Sequence, residues 1–475
     1  MLRLQPRSCY KKLGHCVIRY LSSTSEATPH VCIVGSGPAG FYTAQQLLKG
    51  HPKVRVDILE KLPVPFGLVR FGVAPDHPEV KNVINTFTQT AQNDRCRFIG
   101  NVHVGDDVTV AQLRHLYTAV VFCYGADDDR TLGIPGEDIH GVYSARSFVG
   151  WYNGLPENTQ LEPDLDTDTA VLVGHGNVAL DIARILLTPV DILKKTDITQ
   201  HALEALSRSR VRRVYTVGRR GPLQVAFTIK ELREMTKIPD CTPVINKEDI
   251  TPLESIIKDI PRPRKRLSEL MIKTAKAEMT DSSKEWHLKF LRSPLEIIAD
   301  NTNSRVGAIR LGINKLEGPL DEKQKSIPTE EEESLPCGLV LRSIGYKSIS
   351  IDGAIPFDTK QGIIKNTAGR VHGENGLYCS GWVRRGPTGV ILTTMTDGFD
   401  VGKVIVEDLN SGAIQADHTH VGYDGLMVTL NKSGVKTVSF SEWEKIDNAE
   451  SRNGEKVGKP REKFTNIKSM MDLVT

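Results

Sequence analysis

The sequence has 475 residues, of which 39% are hydrophobic and 25% are charged. This length predicts two domains, or three, with enough apolar residues for ordinary cores. The formal net charge of +3 is too small to indicate nucleic-acid binding, and no run of 18 apolar residues occurs that would predict a membrane-spanning helix.

The first 25 residues have the composition of a targeting segment. No acidic residue precedes Glu26, and a run of serine and threonine occupies positions 22–25. The cations in this segment are Arg3, Arg7, Lys11, Lys12 and Arg19. A basic, serine-containing and acid-poor start is typical of a mitochondrial transit peptide, and a disordered basic tail is the alternative. Because a first strand is predicted from His30, we expect the mature chain to begin between Leu21 and Ala27.

A first dinucleotide-binding fingerprint follows. The apolar strand 31–34 leads into a Gly-x-Gly-x-x-Gly turn formed by Gly35, Gly37 and Gly40, and a helical pattern comes next. The glycines allow the tight turn, the approach of the backbone to a pyrophosphate and the packing of helix on strand. One such turn alone is weak evidence, because it also occurs as a plain connection between a strand and a helix.

Glu60 ends the next predicted strand, about 20 residues after the last glycine, where a carboxylate accepts hydrogen bonds from ribose hydroxyls. A carboxylate would repel a 2′-phosphate, so the site fits the adenosine half of FAD, or NAD. A surface glutamate is the alternative.

The segment 61–77 is rich in proline, glycine and apolar residues, and we expect its backbone to lie against a flat, buried group such as a flavin ring. Further strands are predicted at 96–104 and 119–124.

A second fingerprint begins after the apolar strand 171–173, with Gly174, Gly176 and Ala179 in the turn. Two copies predict a protein that holds two dinucleotides and passes electrons between them. The next predicted strand ends in Arg219 and Arg220 instead of an acid. Two guanidiniums there suit the 2′-phosphate of NADP, because arginine pairs with phosphate in a bidentate way. The alternative is a solvated charge pair.

The residues after the second fingerprint predict the end of an inserted domain. The segment 317–334 is charged and aperiodic, which predicts a solvated loop. The apolar segment 339–346 resembles the strand at 119–125 and predicts the return crossing. A later strand ends at Gly381, and a glycine-rich turn opens a helix near Thr388, whose first amides would stabilise negative charge on a reduced flavin.

The eight cysteines include no Cys-x-x-Cys pair. This spacing argues against a disulfide reductase, which needs a dithiol beside its flavin, and against a bound iron–sulfur cluster. No metal site is predicted.

With these motifs, the sequence resembles the adrenodoxin reductase family of mitochondrial NADPH:ferredoxin oxidoreductases, from His30 onward. The segments that carry the resemblance are 35–42, 64–78, 217–222, 262–266 and 381–390. The resemblance implies an α/β fold of two Rossmann-like dinucleotide-binding domains, with the NADP domain inserted into the FAD domain. The expected boundaries are 1–25 for the transit peptide, 29–127 and 346–475 for the FAD domain, and 128–345 for the NADP domain.

The fingerprints and the resemblance together predict the residues that contact each cofactor. Those expected at FAD are Gly35, Gly37, Ala39, Gly40, Glu60, Leu68, Val104, Trp382, Gly389, Val390 and Ile391. Those expected at NADP are Gly174, His175, Gly176, Asn177, Val178, Arg219, Arg220, Glu231 and again Gly389, where the nicotinamide stacks.

Three of the predicted site residues are titratable groups that we expect to gain or lose protons. His175 stands where the family has glutamine, and its imidazole is expected to add pH dependence to NADP binding. His77 and Asp181 are candidates for a proton path near the flavin. Each has a plain alternative, since His77 would cap a helix starting near Pro78 and Asp181 would merely sit on the helix after the second fingerprint.

The resemblance also implies a reaction and a partner. NADPH would give a hydride to FAD, and single electrons would pass to an acidic 2Fe–2S ferredoxin that serves mitochondrial cytochromes P450, as in steroid metabolism, or iron–sulfur cluster assembly. The expected partner-docking cations are Lys49, Arg233, Arg262 and Arg266. The segment 261–266 is predicted as a rigid, displayed loop before a helix at 267–277, with a solvated charge run as the alternative. A monomer in the mitochondrial matrix is expected, and peripheral contact with the inner membrane is left open.

Two other functions compete with this one. The first is another flavoenzyme with two dinucleotides, such as a disulfide reductase or a flavin monooxygenase, and the missing Cys-x-x-Cys weighs against its commonest form. The second is a non-catalytic NADPH-sensing or scaffold protein, because a fold does not fix a function. Both fingerprints keep their glycines, which weighs against this second alternative.

Overall fold

The computed structural model describes residues 27–278, 281–302 and 304–474. The predicted transit peptide therefore lies outside the described residues. Within these three ranges, no helix is both long enough and apolar enough to cross a membrane.

A helix begins at each of the two predicted glycine turns, and further helices follow along the chain. They are α1 (Pro38–Gly50), α2 (Leu68–Phe71), α3 (Ile84–Ala91), α4 (Val110–Leu116), α5 (Ala145–Asn153), α6 (Asn177–Leu187), α7 (Val190–Leu193), α8 (Gln200–Ser207), α9 (Ile229–Met235), α10 (Lys247–Ile256), α11 (Arg262–Lys276), α12 (Trp382–Arg385), α13 (Ile391–Ser411), α14 (Tyr423–Lys432), α15 (Phe440–Glu455) and α16 (Ile467–Met471). Short 3₁₀ turns lie at Val80–Val83, Pro156–Asn158 and Pro222–Gln224.

The described residues also form 21 strands. They are β1 (His30–Val34), β2 (Arg55–Leu59), β3 (Cys96–Gly100), β4 (Ala119–Phe122), β5 (Asp128–Asp129), β6 (Val142–Ser144), β7 (Thr169–Val173), β8 (Arg213–Val217), β9 (Cys241–Ile245), β10 (Lys284–Lys289), β11 (Arg292–Ala299), β12 (Val306–Glu317), β13 (Lys325–Pro336), β14 (Leu339–Arg342), β15 (Tyr346–Lys347), β16 (Phe357–Asp358), β17 (Ile363–Ile364), β18 (Asn366–Thr367), β19 (Arg370–Val371), β20 (Leu377–Cys379) and β21 (Val438–Ser439).

The first large sheet has eight strands in the order β18-β19-β20-β4-β1-β2-β3-β21. Strand β1 runs parallel to β2 and β4 on its two sides. Its residues from Val31 onward are buried, as expected for a strand covered on both faces. The chain order reverses between β1 and β4, and in such sheets ligands bind outside the carboxyl ends of the strands at that reversal.

The second large sheet is parallel and has six strands in the order β6-β14-β7-β8-β10-β9. Strand β7 lies between β8 and β14, so its carboxyl end is again a point where the chain order reverses. The chain leaves the first sheet after β4 and returns to it before β18. The antiparallel pair of β5 with β15 joins the outgoing and the returning segments.

The predicted solvated loop at 317–334 is wrong. Strand β12 ends at Glu317, and β13 pairs antiparallel with it to form a third sheet, β11-β12-β13. The charged side chains suit an edge strand, because charges there discourage pairing with another chain. One of them also has partners, since the Glu333 carboxylate lies 2.7 Å from Lys289 Nζ and 3.0 Å from Arg292 Nε.

The basic segment 261–266 is also not the predicted loop, because α11 already begins at Arg262. Pro263 does not prevent this, since proline is tolerated in the first turn of a helix, where its missing N–H has no helical partner. Sequence reasoning likewise missed α12, a single turn between Gly381 and the start of α13.

Candidate functional site

The first glycine turn leaves room for a ligand at one glycine and none at the other two. Gly35 has a φ of +108°, and a Cβ there would lie 2.7 Å from the carbonyl carbon of Cys123. A Cβ on Gly40 would lie 2.1 Å from the carbonyl oxygen of Gly35. A Cβ on Gly37 would meet no described atom within 4 Å. The open space therefore lies at the start of α1, where free amides favour an anion such as a pyrophosphate.

Glu60 is joined to this turn by hydrogen bonds. One carboxylate oxygen accepts from the backbone N–H of Ser36 at 3.1 Å and from its hydroxyl at 2.7 Å, and the other accepts from Leu62 N at 3.2 Å. A carboxylate has about four acceptor positions, so one remains for a ribose hydroxyl. Glu60 thus shapes the turn and keeps one acceptor position free.

Close contacts bring the predicted flavin-side segments against the same turn. A Cβ on Gly67, just before α2, would lie 3.1 Å from Gly37 Cα, and a Cβ on Gly381 would lie 2.6 Å from Ala39 Cβ. Leu68 begins α2 and Trp382 begins α12, so both predicted residues flank the turn.

The flavin-side surface is apolar and exposed. Leu68 is 41% exposed, and Val390 and Leu392 at the start of α13 are 52% and 64% exposed. Trp382 packs against Tyr346 with ring centroids 5.6 Å apart. Exposed apolar side chains beside a glycine turn fit a flat ring system. Gly389 is exposed, Ile391 is half-buried, and Val104 and Ala39 are buried.

Asp397, a residue that sequence reasoning missed, holds the turn between β20 and α12. Its buried carboxylate accepts from the backbone N–H of Gly381 and from Ser380 Oγ, and it pairs with Arg384. These bonds fix the backbone on which Trp382 lies. No sequence motif marks Asp397, which lies 16 residues after Gly381 in the chain.

The second glycine turn repeats the first. Gly174 has a φ of +136°, and a Cβ there would lie 2.1 Å from Ser343 O, whereas a Cβ on Gly176 would meet open space within the described part of the chain. Asn177 begins α6, and Val178 follows it. Asn177 Oδ1 accepts from Thr228 N at 3.0 Å, and the Thr228 hydroxyl donates to Glu231. This series of bonds brings Glu231 close to the second turn.

The surroundings of His175 argue against the expected pH dependence. Its imidazole is buried, packs edge-on against Phe227 and Phe290, and lies 3.4 Å from Thr216 O. Burial lowers its pKa to about 4, so the ring stays neutral throughout the physiological range. Its contribution to the turn is its backbone, whose carbonyl accepts from Ala226 N and Phe227 N.

Arg219 and Arg220 follow β8 at the carboxyl end of the second sheet. Both are exposed, and neither forms a salt bridge with a described residue. Two unpaired guanidiniums beside an open glycine turn are free to bind a phosphate.

His77 and Asp181 lie in one charged cluster between the two large sheets. His77 Nε2 is 2.8 Å from Glu234, and Arg184 lies 2.5 Å from Asp76, 2.7 Å from Asp181 and 3.5 Å from Glu234. Burial raises the pKa of Asp181. Burial also acts to raise the pKa of Asp76, but hydrogen bonds and charge from Arg184 outweigh it and lower that pKa. Arg184 was missed, although its place one helical turn after Asp181 is a signal for such a pair.

The four predicted docking cations are exposed. No salt bridge joins any of the four to another residue that the structure describes. Arg262 and Arg266 lie in the first turns of α11, which packs against α9, the helix that carries Arg233. Lys49 lies in the last turn of α1. Arg264 differs from them, because it donates to Val225 O at 3.0 Å and lies 3.4 Å from Glu322.

Known proteins resemble this chain over nearly its whole length. The NAD(P)-binding Rossmann-like domain family matches residues 33–98. Mitochondrial NADPH:adrenodoxin oxidoreductase of Homo sapiens is 57% identical over 95% of this chain and 93% of its own length. The proteins of the same name from Drosophila melanogaster and Arabidopsis thaliana are each 47% identical over 96% of this chain, and over 95% and 98% of their own lengths. The structure of Mycobacterium tuberculosis FprA in complex with NADPH is 39% identical, covers 94% of this chain and 99% of its own, and superimposes with a TM-score of 0.89.

Proposed function

This chain belongs to the family of NADPH:adrenodoxin oxidoreductases, and we propose that it passes electrons from NADPH through FAD to an acidic 2Fe–2S ferredoxin in mitochondria. It is an oxidoreductase with two Rossmann-like folds, and its cofactors are FAD and NADPH. The observation that carries this function is the pair of open glycine turns at the carboxyl ends of two parallel sheets, one joined to Glu60 and the other followed by Arg219 and Arg220.

The residues around the first turn would hold FAD. The amides at the start of α1 would bind the pyrophosphate, Glu60 the ribose, and the surface formed by Leu68, Trp382 and Val390 the ring system. When bound, FAD supplies hydride acceptance and the release of single electrons. The protein positions the cofactor, because the hydrogen bonds of Asp397 to Gly381 and of Glu60 to Ser36 fix the backbone on both sides of the site.

The second turn would hold NADPH. The start of α6 would bind its pyrophosphate, with Asn177, Val178 and Glu231 nearby, and Arg219 and Arg220 would bind the 2′-phosphate. Gly389 would contact the nicotinamide at the start of α13.

We propose that the FAD domain consists of residues 29–127 and 346–475 and that the NADP domain consists of residues 128–345.

The cluster of His77 and Asp181 supports a proton path. His77 shares a hydrogen bond with Glu234, and burial keeps the pKa of Asp181 above its usual value. Raised acid pKa values are typical of groups that exchange protons at neutral pH. We propose that His77, through its hydrogen bond with Glu234, and Asp181 belong to a proton path near the flavin. The cluster also joins the two large sheets, which is its structural role.

The basic first turn of α11 supports ferredoxin docking. Cations at a helix N-terminus are unfavourable, because they face the positive end of the helix dipole. The first two turns of α11 nevertheless contain Arg262 and Arg266, and the first turn has no acidic residue. Cations that are kept in this unfavourable position fit the binding of an acidic partner.

We propose that the enzyme binds this partner as a monomer.

The experiment that tests the proposed function is an anaerobic titration of the purified protein with NADPH. We expect the visible absorbance of oxidised flavin to bleach, and an acidic 2Fe–2S ferredoxin to restore it. A colourless protein that does not bind added FAD, or a bleached flavin that no acidic ferredoxin reoxidises, would contradict the proposal.

A further inference from the structure

The three-stranded sheet β11-β12-β13 lies against the backbone of the arginine loop 218–221. Arg292 N donates to Gly218 O at 2.9 Å, and Leu291 N donates to Arg220 O at 3.2 Å. The carbonyls on both sides of Arg219 are therefore bound by the start of this sheet. Arg219 O has different partners, which are side chains.

Two side chains of the sheet donate to Arg219 O. Asn314 Nδ2 on β12 lies 3.0 Å from it, and Ser326 Oγ on β13 also donates to it. Asn314 is only 6% exposed. Its Nδ2 also donates to Ser293 Oγ at 2.8 Å on β11, and its backbone N–H donates to Leu291 O at 2.9 Å. Asn314 thus connects β11 and β12 to the arginine loop, and Ser326 connects β13 to the same carbonyl.

A third side chain holds the other end of the loop. Buried Gln224 accepts from Gly221 N at 3.0 Å and donates to Asp321 O at 2.8 Å, in the turn between β12 and β13. The sheet therefore contacts the loop at both ends, while the two guanidiniums stay exposed.

We propose that Asn314 is a positioning residue that sets the preference for the 2′-phosphate of NADPH. This inference rests on the proposed function, in which Arg219 and Arg220 bind that phosphate. Long exposed side chains lose conformational entropy when they bind, and a fixed backbone reduces the number of torsions that must be ordered. Asn314 supplies that fixed backbone without touching the ligand.

The test uses the FAD-loaded enzyme and two ligands without nicotinamide. In Asn314→Ala, we expect the affinity for 2′,5′-ADP, measured by titration calorimetry, to fall about five- to tenfold, the usual effect of losing one hydrogen bond. The affinity for 5′-AMP should stay unchanged. The KM for NADPH should rise by the same factor, with kcat and the KM for NADH unchanged.

Two further variants serve as a supporting change and as a control. Ser326→Ala removes the second donor from a half-buried position and should weaken 2′,5′-ADP binding in the same direction, even if Asn314→Ala folds poorly. Ser334→Ala is the matched control, because that residue is exposed on the same strand and its hydroxyl has no hydrogen bond among the described residues. It should change neither affinity.

The outcomes distinguish a failure of the role of Asn314 from a failure of the phosphate site formed by Arg219 and Arg220. Equal losses for 2′,5′-ADP and 5′-AMP would make Asn314 a general support of the domain, and unchanged affinities in both Asn314→Ala and Ser326→Ala would remove its role. Either result overturns the role of Asn314 but leaves Arg219 and Arg220 assigned to the 2′-phosphate. If replacing Arg219 and Arg220 by serine leaves 2′,5′-ADP binding unchanged, the phosphate site of the proposed function itself is wrong.

Discussion

Arg219 and Arg220 have no ion pair among the described residues, although their backbone is firmly bound. One charge-assisted contact contributes about 1.5–3 kcal/mol. We therefore expect the double change to glutamine to raise the KM for NADPH at least tenfold and to leave that for NADH nearly unchanged. Steady-state kinetics with both coenzymes measures this, and equal effects would indicate that the arginines only support the fold.

Glu60 has a different role, because its carboxylate is already bound by Ser36 and Leu62. Glu60→Ala should loosen the first turn and remove the acceptor for the ribose, so we expect the purified variant to contain little flavin while its affinity for 2′,5′-ADP is kept. The flavin-to-protein absorbance ratio measures the first effect. A variant with full flavin content and normal thermal stability would reduce Glu60 to a surface carboxylate.

Asp57 shows how burial couples stability to pH. Its carboxyl lies inside the first sheet and accepts from Tyr117 OH at 2.9 Å, and burial raises its pKa to about 6. Since the folded state holds this proton more tightly than the unfolded state, the stability contribution of Asp57 is present below about pH 4 and is lost as the pH rises to about 6.

Asp57→Asn should therefore stabilise the protein by about 2–3 kcal/mol at pH 7.5, because a shift of one pKa unit corresponds to about 1.4 kcal/mol. The gain should disappear near pH 4. Denaturant unfolding at both pH values measures this difference. A variant that is less stable at pH 7.5 would show that the charged form is compensated inside the sheet.

At the level of elements, the two glycine turns were predictable because their signals are local. A glycine pattern after a buried strand, and a charge at the end of the next strand, are visible within about 45 residues of sequence. The edge strand β13 was not predictable, because glutamates on an edge strand give the same composition as a solvated loop. His175 could be placed in its turn, but the direction of its ring depends on Phe290, which is brought near by folding.

The basic first turn of α11 leads to a prediction about the partner. Opposed charges speed encounter and fix orientation, so docking of an acidic ferredoxin should be sensitive to salt. Charge reversal by Arg262→Glu and Arg266→Glu should raise the apparent KM for ferredoxin in cytochrome reduction. Replacing cations at a helix N-terminus by acids should not destabilise α11.

Ferricyanide reduction provides the control for this variant, because a small acceptor needs no docking surface, and its rate should stay unchanged. Lys265→Glu on the same helix tests whether the rise in the apparent KM for ferredoxin depends on these two positions or only on the net charge of the protein. If ferricyanide and ferredoxin activities fall together, the arginines support the fold or the cofactors, and the docking assignment is wrong.

At the scale of the whole molecule, the arrangement of the two large sheets depends on pairs that are far apart in sequence. Arg184 and Asp76 are separated by 108 positions, and Lys463 and Asp197 by 266. No periodicity or motif connects such residues. This is why the order of the cofactor sites along the chain could be predicted from sequence, whereas the charged contacts that join the sheets could not.

Asp197 is the centre of the most buried of these contacts. Its carboxylate lies 2.7 Å from Lys81 Nζ, before the second fingerprint, and 3.1 Å from Lys463 Nζ, near the C-terminus, with both amines largely buried. Burial acts to raise the pKa of Asp197, but the two lysines outweigh it and lower that pKa to about 2. Its contribution to stability is thus present at neutral pH and is lost as the pH falls from about 4 toward 2.

Asp197→Asn should leave the Lys81 amine buried without a counter-charge, which typically costs about 3–5 kcal/mol, whereas burial lowers the pKa of Lys463 to about 7 and lets that amine lose its proton at pH 7.5. We expect a lower melting temperature at pH 7.5, and the calorimetric transition should split as the two sheets unfold separately. Asp191→Asn is the matched control, because that carboxylate lies on the same segment but is 86% exposed beside Lys194. A single transition at the wild-type temperature would show that Asp197 does not hold the sheets together.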